Sequence, residues 1–229
     1  MKAFHCDSCG NLVFFENVAC LRCHRTLGFV PGSIDLCTLE QIEGGYWKTL
    51  VPTTEKRYRP CGNSTIHEAC NWLIPESDDH EFCQACRLNL VIPDLSAPAN
   101  LERWRKIEAA KRRVIYSALR LKLPTERDNG HPPLRFKFLA EVPGGPPVLT
   151  GHAGGEITVN IAEADDAERE RRRIALHEPY RTLLGHIRHE VAHYYWDRLI
   201  QDTHRLREFR HVFGDEREDY QQALQRHYQ

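Results

Sequence analysis

From Leu101 onward, apolar positions recur at helical spacing. In LERWRKIEAAKRRVIYSALRLKL they place Leu101, Trp104, Ile107, Val114, Ala118 and Leu121 on one stripe, and Pro124 stops the helix. The period then changes. LRFKFLAEV (134–142) alternates Leu134, Phe136, Phe138, Ala140 and Val142 with mostly polar neighbours, which predicts a half-buried strand. EITVNIA (156–162) repeats the pattern with Ile157, Val159 and Ile161. The stretch between them, PGGPPVLTGHAGG, reads as a long, mobile connection between neighbouring strands. A charged segment, EADDAERERRR (163–173), leads to a second helix with Pro179 in its first turn and its end near Ile200. Ile187, Val191 and Ala192 are expected to hold that helix in the core. A last helix is expected over 214–228, with Asp215 capping it and acidic residues in its first turn.

Before residue 100 the texture is different. All nine cysteines lie between residues 6 and 86, and three of their spacings are Cys-x-x-Cys. The number is odd, and the start, MKAFHCDSCGN, lacks the apolar core of a secretory signal. That pattern predicts thiolate metal sites in a reducing, cytoplasmic setting rather than disulfides. Cys6, Cys9, Cys20 and Cys23 form Cys-x2-Cys-x10-Cys-x2-Cys, two knuckles that close a tetrahedral zinc site, with Gly10 suited to the tight turn of the first. Such a closed site stands in for the hydrophobic core that thirty residues cannot supply. Cys61, Cys70, Cys83 and Cys86 make a looser second set, in which His67 or His80 could replace a cysteine. Cys37 is left over and reads as a small buried thiol.

The expected fold is therefore α+β, with N-terminal zinc ribbons before a small helix and strand domain. The divisions fall at 1–30 for the first ribbon, 31–92 for the second cysteine module, 93–99 for a linker, and 100–229 for the remaining domain. At 229 residues, 41% hydrophobic, 28% charged and net charge -1, the composition is that of an ordinary soluble protein. Its global charge argues neither for nor against a nucleic-acid partner. No apolar run approaches the ~18 residues of a membrane helix.

The candidate chemistry lies in HIRHEVAHYYWDRL (186–199), which contains His-Glu-x-x-His at His189, Glu190 and His193. In a chain with 13 histidines, chance supplies only about 0.06 such matches. Positions i and i+4 stack on one helix face, so both imidazoles can reach one zinc ion. Glu190, expected on the same side, can take a proton from a zinc-bound water and pass it to a leaving amine. His186 fails as a third ligand, because it lies seven residues from His193, about 10.5 Å along the axis. The only methionine is Met1, and the residue six after His193 is Leu199, so the metzincin arrangement is excluded. A carboxylate from a later helix remains, as in thermolysin-like Glu-x-x-x-Asp. The nearest echo is Asp215-x-x-x-Asp219, with Glu216 as competitor and helix capping as the alternative role for Asp215.

An N-terminal zinc ribbon together with LLGHIRHEVAHYYWDRL and FGDEREDYQQALQRHY resembles the bacterial zinc-binding metallopeptidases that carry such a ribbon. The resemblance covers nearly the whole chain. It implies a zincin-like domain, zinc as cofactor (one catalytic, one or two structural) and a peptide or protein substrate. His189 and His193 would be zinc ligands, Glu190 the catalytic glutamate and Cys6, Cys9, Cys20 and Cys23 the ribbon ligands. The ligand carboxylate would be Asp215 or Glu216, or would come from a helical segment that members carry beyond the second block. Strand 156–162, read as an edge strand, would present substrate backbone to the zinc. The competing function is a ribbon module that binds protein or nucleic acid beside a degenerate site. It is suggested by eight Lys/Arg against two Glu over 101–123.

Overall fold

Two short antiparallel strands, β1 (Phe4–His5) and β2 (Leu12–Val13), carry Cys6 and Cys9 in the turn between them. The computed structural model describes residues 2–53, 55–128, 130–175, 182–219, 222, 223, 225 and 226. In the first knuckle the Gly10 amide donates to the Cys6 carbonyl (2.8 Å), with Gly10 at φ +72. The second knuckle repeats this bond from His24 to Cys20 (2.8 Å), but there a histidine occupies the left-handed region, at φ +59. An antiparallel sheet follows, built from β3 (Leu27–Val30), β4 (Asp35–Gln41), β5 (Trp47–Thr49), β6 (Tyr58–Pro60) and β7 (Leu73–Pro75) in chain order. One turn of helix, α1 (Gly62–Thr65), follows Cys61. Phe29 of β3 bridges to Trp72 just before β7, so the sheet curls until its first strand meets its last. The hydrophobic pattern predicts none of these strands. All four residues of β3 and the middle four of β4 are buried, and strands covered on both faces show no alternation.

β8 (Asn89–Val91) comes directly after the turn that holds Cys86 and pairs in parallel with β9 (Arg135–Leu139). The stretch 31–92 thus contributes a strand to the sheet of the C-terminal part. Between these strands runs α2 (Pro98–Arg120), which starts on Pro98 and stops short of Pro124. Leu121 falls beyond it and is 70% exposed, off the expected stripe. β9 and β11 (Glu156–Asn160) are neighbouring strands, as expected, and run parallel. The connection between them is not wholly loop, because β10 (Gly151–Ala153) doubles back along the outer side of β11. The order is β10-β11-β9-β8, so the 156–162 strand is interior and the edge is β10. This corrects the expectation that 156–162 is an edge strand.

The charged segment forms α3 (Asp166–Ala175), laced by pairs such as Arg172–Glu168 (2.9 Å) and Arg173–Glu170 (2.6 Å). The motif helix, α4 (Leu183–Leu199), is capped by Thr182, whose hydroxyl accepts from the Gly185 amide (3.0 Å). Pro179 lies outside the described residues. The inward side of α4 is Ile187, Glu190, Val191, Tyr194 and Arg198, whereas Ala192 is exposed, contrary to its expected core position. Tyr194 takes over that role and donates to the Pro132 carbonyl (3.1 Å). A helix that the sequence pattern does not predict, α5 (Leu206–Phe213), follows. Asp215 closes a turn onto the Arg217 amide (3.0 Å) rather than capping a helix. The capping geometry falls four residues later, where Asp219 accepts from the Gln222 amide (2.9 Å).

α2 joins the two halves. Its Tyr116 packs on Phe4, Phe15 and Phe29 of the ribbon part, at ring-centroid distances of 6.1, 5.2 and 5.8 Å. On the same helix Glu108 and Lys111 are both fully buried and form an ion pair (2.9 Å), and Asn89 of β8 donates to Glu108 (2.7 Å). Lys111 also lies over the rings of Phe136 and Phe138 of β9. Removing one partner of such a pair strands the other charge, at a cost of about 3–5 kcal/mol. Lys111→Met is therefore expected to lower unfolding stability in urea by about that amount. Glu108→Leu with Lys111→Met is expected to recover part of the loss, since no isolated charge remains.

Candidate metal centres and active site

Eight of the nine cysteines converge in two groups, each with its four sulfurs within 4.8 Å of one another. Cys6, Cys9, Cys20 and Cys23 form the first, with Cys6–Cys23 and Cys9–Cys20 both at 3.6 Å. Cys61, Cys70, Cys83 and Cys86 form the second, all buried, with Cys70–Cys83 at 3.7 Å. A tetrahedral zinc with ~2.3 Å bonds sets its sulfurs ~3.8 Å apart, so both groups fit the ion. Burial pushes the Cys6 thiol up. Hydrogen bonds from Thr38, the Ser8 and Cys9 amides and Cys23 outweigh that and bring it down to about 6. Neither histidine alternative enters the second group. His67 stacks edge-on against Trp104, and His80 is bonded to Asp78 (2.7 Å) on the surface. Cys37 stands apart, paired with Gly28 across the sheet, its thiol pushed up to about 12 by burial.

On α4 the Nε2 atoms of His189 and His193 lie 3.0 Å apart, with their rings nearly perpendicular, and both side chains are exposed. Two nitrogens bound to one zinc at ~2.0–2.1 Å lie ~3.4 Å apart, so the pair fits one ion on an open face. Glu190 does not share that face. One residue turns the helix by about 100°, which carries its side chain onto the inward stripe, where it is 6% exposed. There His186 Nε2 meets Glu190 Oε1 at 3.2 Å. Burial pushes the Glu190 carboxyl up, but the hydrogen bond and charge of His186 and the charges of His189 and His193 together hold it below its usual range. His186, excluded as a zinc ligand by its axial distance, is thus tied to the glutamate. Across from α4, His152 of β10 accepts from the Gly155 amide (3.2 Å) and sits over Tyr194, so the edge strand is docked against the motif helix.

Residues 100–229, more than half of the chain, match the family model described as "Putative zinc-binding metallo-peptidase". The chain belongs to that family. Residues 3–97 match a zinc-ribbon domain model, so the metallopeptidase family and the ribbon meet in one chain as expected. An uncharacterized protein of Mycobacterium bovis and those of two Mycobacterium tuberculosis strains are similar to this metallopeptidase-family chain. Each is 40% identical over 232 residues. The match covers all of this chain and 63% of each relative, so the chain spans under two thirds of their length. No solved structure matches.

Neither Asp215 nor Glu216 stands in a cluster with the histidine pair. Among the described residues, no third His, Cys, Asp or Glu joins His189 and His193 in a cluster. Asp215 is gripped by Arg217 (2.6 Å) and Glu216 by Arg210 (2.5 Å), and those guanidinium groups hold the Asp215 carboxyl well below the usual range and lower that of Glu216. The basic side of α2 is also occupied within the molecule. Arg103 pairs with Asp165 (2.7 Å), Arg105 donates to the His67 carbonyl (2.7 Å), Lys111 meets Glu108, Arg112 donates to the Ala69 carbonyl and Arg113 pairs with Glu16. Among the described residues, no helix is long and apolar enough to cross a membrane. Elemental analysis of Cys83→Ser is expected to show the loss of about one zinc per chain and a lower unfolding temperature. Cys37→Ala is expected to leave the metal content unchanged.

Proposed function

We propose that this chain is a zinc-dependent peptidase in which His189 and His193 hold the ion and Glu190 is the general base. The observation that carries the reading is the solvent-open pair of imidazole nitrogens 3.0 Å apart, one residue from the buried carboxylate of Glu190. Zinc, when bound there, supplies Lewis acidity towards a peptide carbonyl and its attacking water. Glu190 removes the proton from that water as its oxygen bonds the carbonyl carbon. The same carboxyl then returns the proton to the amide nitrogen as the C–N bond breaks. The third ligand would be a carboxylate, with Asp215 or Glu216 available only if Arg217 or Arg210 released it.

Substrate docking is assigned to β10, since the outer side of this three-residue strand faces away from β11 and the strand packs on α4. An extended peptide added there would run beside the motif helix and gain main-chain hydrogen bonds. The ribbon part would serve to hold a protein partner or substrate. Leu12, Phe14, Val18 and Leu21 around the first cysteine group are 49 to 82% exposed, while most of the basic side of α2 is spent on internal contacts. That contrast favours protein over nucleic acid as the partner.

Glu190→Gln keeps the size of the side chain and removes the base. It is expected to lower the rate of peptide cleavage at least ~10²-fold while zinc content stays at the wild-type level. Cleavage by this variant at the wild-type rate, or no cleavage of a diverse peptide library by the zinc-loaded wild type, would contradict the proposal.

A further inference from the structure

A general base needs its carboxylate fixed in plane and position, which a place on the helix alone does not ensure. A chain of side chains from the sheet does. Glu163 lies in the turn of 3-10 helix (Ile161–Ala164) that follows β11, and it is 1% exposed. A carboxylate so deeply buried must be met by donors. Thr150, the residue before β10, donates its hydroxyl to Glu163 Oε1 (2.6 Å) and itself accepts from the Asn160 amide (3.0 Å). His186 Nδ1 lies 2.5 Å from Glu163 Oε2, and the opposite ring nitrogen lies 3.2 Å from Glu190 Oε1. One imidazole therefore spans two carboxylates. A neutral ring carries a single N–H, so spanning both requires a proton on each nitrogen or one held by a carboxyl.

We infer that Glu163 and His186 are positioning residues for the Glu190 carboxylate, with Glu163 fixing the His186 ring and His186 fixing one Glu190 oxygen. This rests on the peptidase reading for its consequence, although the hydrogen-bonded bridge itself does not. The arrangement ties the base to the root of β10. Strand and base thereby keep a set spacing, because Thr150 and Glu163 hold the two ends of the same hairpin and turn. The spacing His186-x-x-x-Glu190 brings ring and carboxylate onto one helix face. Glu163 lies 23 residues upstream of His186, and only the fold brings it there.

The test uses the zinc-loaded full chain. His186→Leu is expected to lower kcat ~10–100-fold, as loss of an orienting hydrogen-bond partner does, with KM within about twofold and zinc content unchanged. Glu163→Gln is expected to lower kcat less, and the double variant to be no worse than His186→Leu, because the two act as one unit. His186→Gln, which keeps an amide donor, is expected to restore part of the rate. Equal losses in kcat and zinc content, or fully additive effects, would overturn the assignment.

A second readout needs no activity. Proton–nitrogen NMR of the histidine rings is expected to show N–H signals at both nitrogens of His186. Glu190→Gln should shift one of them and Glu163→Gln the other. Ring signals that ignore Glu190→Gln would overturn the positioning pair whatever the rate data show. A wild type with bridged ring signals that cleaves no peptide would instead sink the peptidase reading and leave the bridge standing.

Discussion

Four thiolate sulfurs held within 4.8 Å of one another repel unless a cation lies among them, and two such groups organise the first ninety residues. The second group matters most for the placement of the motif helix. Cys83 and Cys86 close it from the segment that leads straight into β8, and β8 is the outer strand beside β9. β9 pairs with β11, and α4 packs on β11, β10 and α2. A metal-dependent fold in the ribbon part is thus continuous with the surface that holds His189 and His193. The ribbon is less an appendage than one wall of the same body.

α2 makes that continuity rigid. One side buries Trp104, Ile107 and Val114 in the shared core, and Tyr116 reaches the aromatic cluster of the ribbon part. The helix also carries Glu108 and Lys111 into a fully buried pair beside Cys86, whose sulfur lies 3.8 Å from Glu108 Oε2. Burying two charges is costly, and an apolar pair would hold the helix as well. The charges do, however, fix the register of α2 against Asn89 of β8 and against the second thiolate group. The same use of charge explains why a helix rich in Arg and Lys need not be a nucleic-acid surface. Its guanidinium groups donate to the His67 and Ala69 carbonyls and pair with Glu16 in the ribbon part.

Features that depend on near neighbours are legible in the sequence. His189 and His193 meet because i and i+4 stack, and each Cys-x-x-Cys knuckle closes within a few residues. The pattern at 134–142 and 156–162 reports strands half exposed to solvent. Strands β3 and β4 are hidden because burial on both faces erases alternation, β5, β6 and β7 are only three residues long, and the short β10 is hidden within glycine-rich sequence. Spacing alone makes Asp215 look like a cap or ligand, but Arg210 and Arg217, both close in sequence, take the nearby acids, and Asp219 is placed to cap instead. Spacing also suggests that Glu190 shares a face with the histidines. It lies about a third of a turn away, and its support from Glu163 arrives through His186 from a distant turn of the chain. No local pattern encodes that partner.

The proposed peptidase chemistry depends on the histidine pair holding a third zinc beside the two ions of the cysteine groups. The most direct test is zinc content per chain by elemental analysis, on the wild type and on His189→Ala/His193→Ala. About three zincs are expected in the wild type, falling to about two in the double variant with both ribbons still loaded. About two in both proteins would contradict this, leaving His189 and His193 without metal and the peptidase mechanism without its ion.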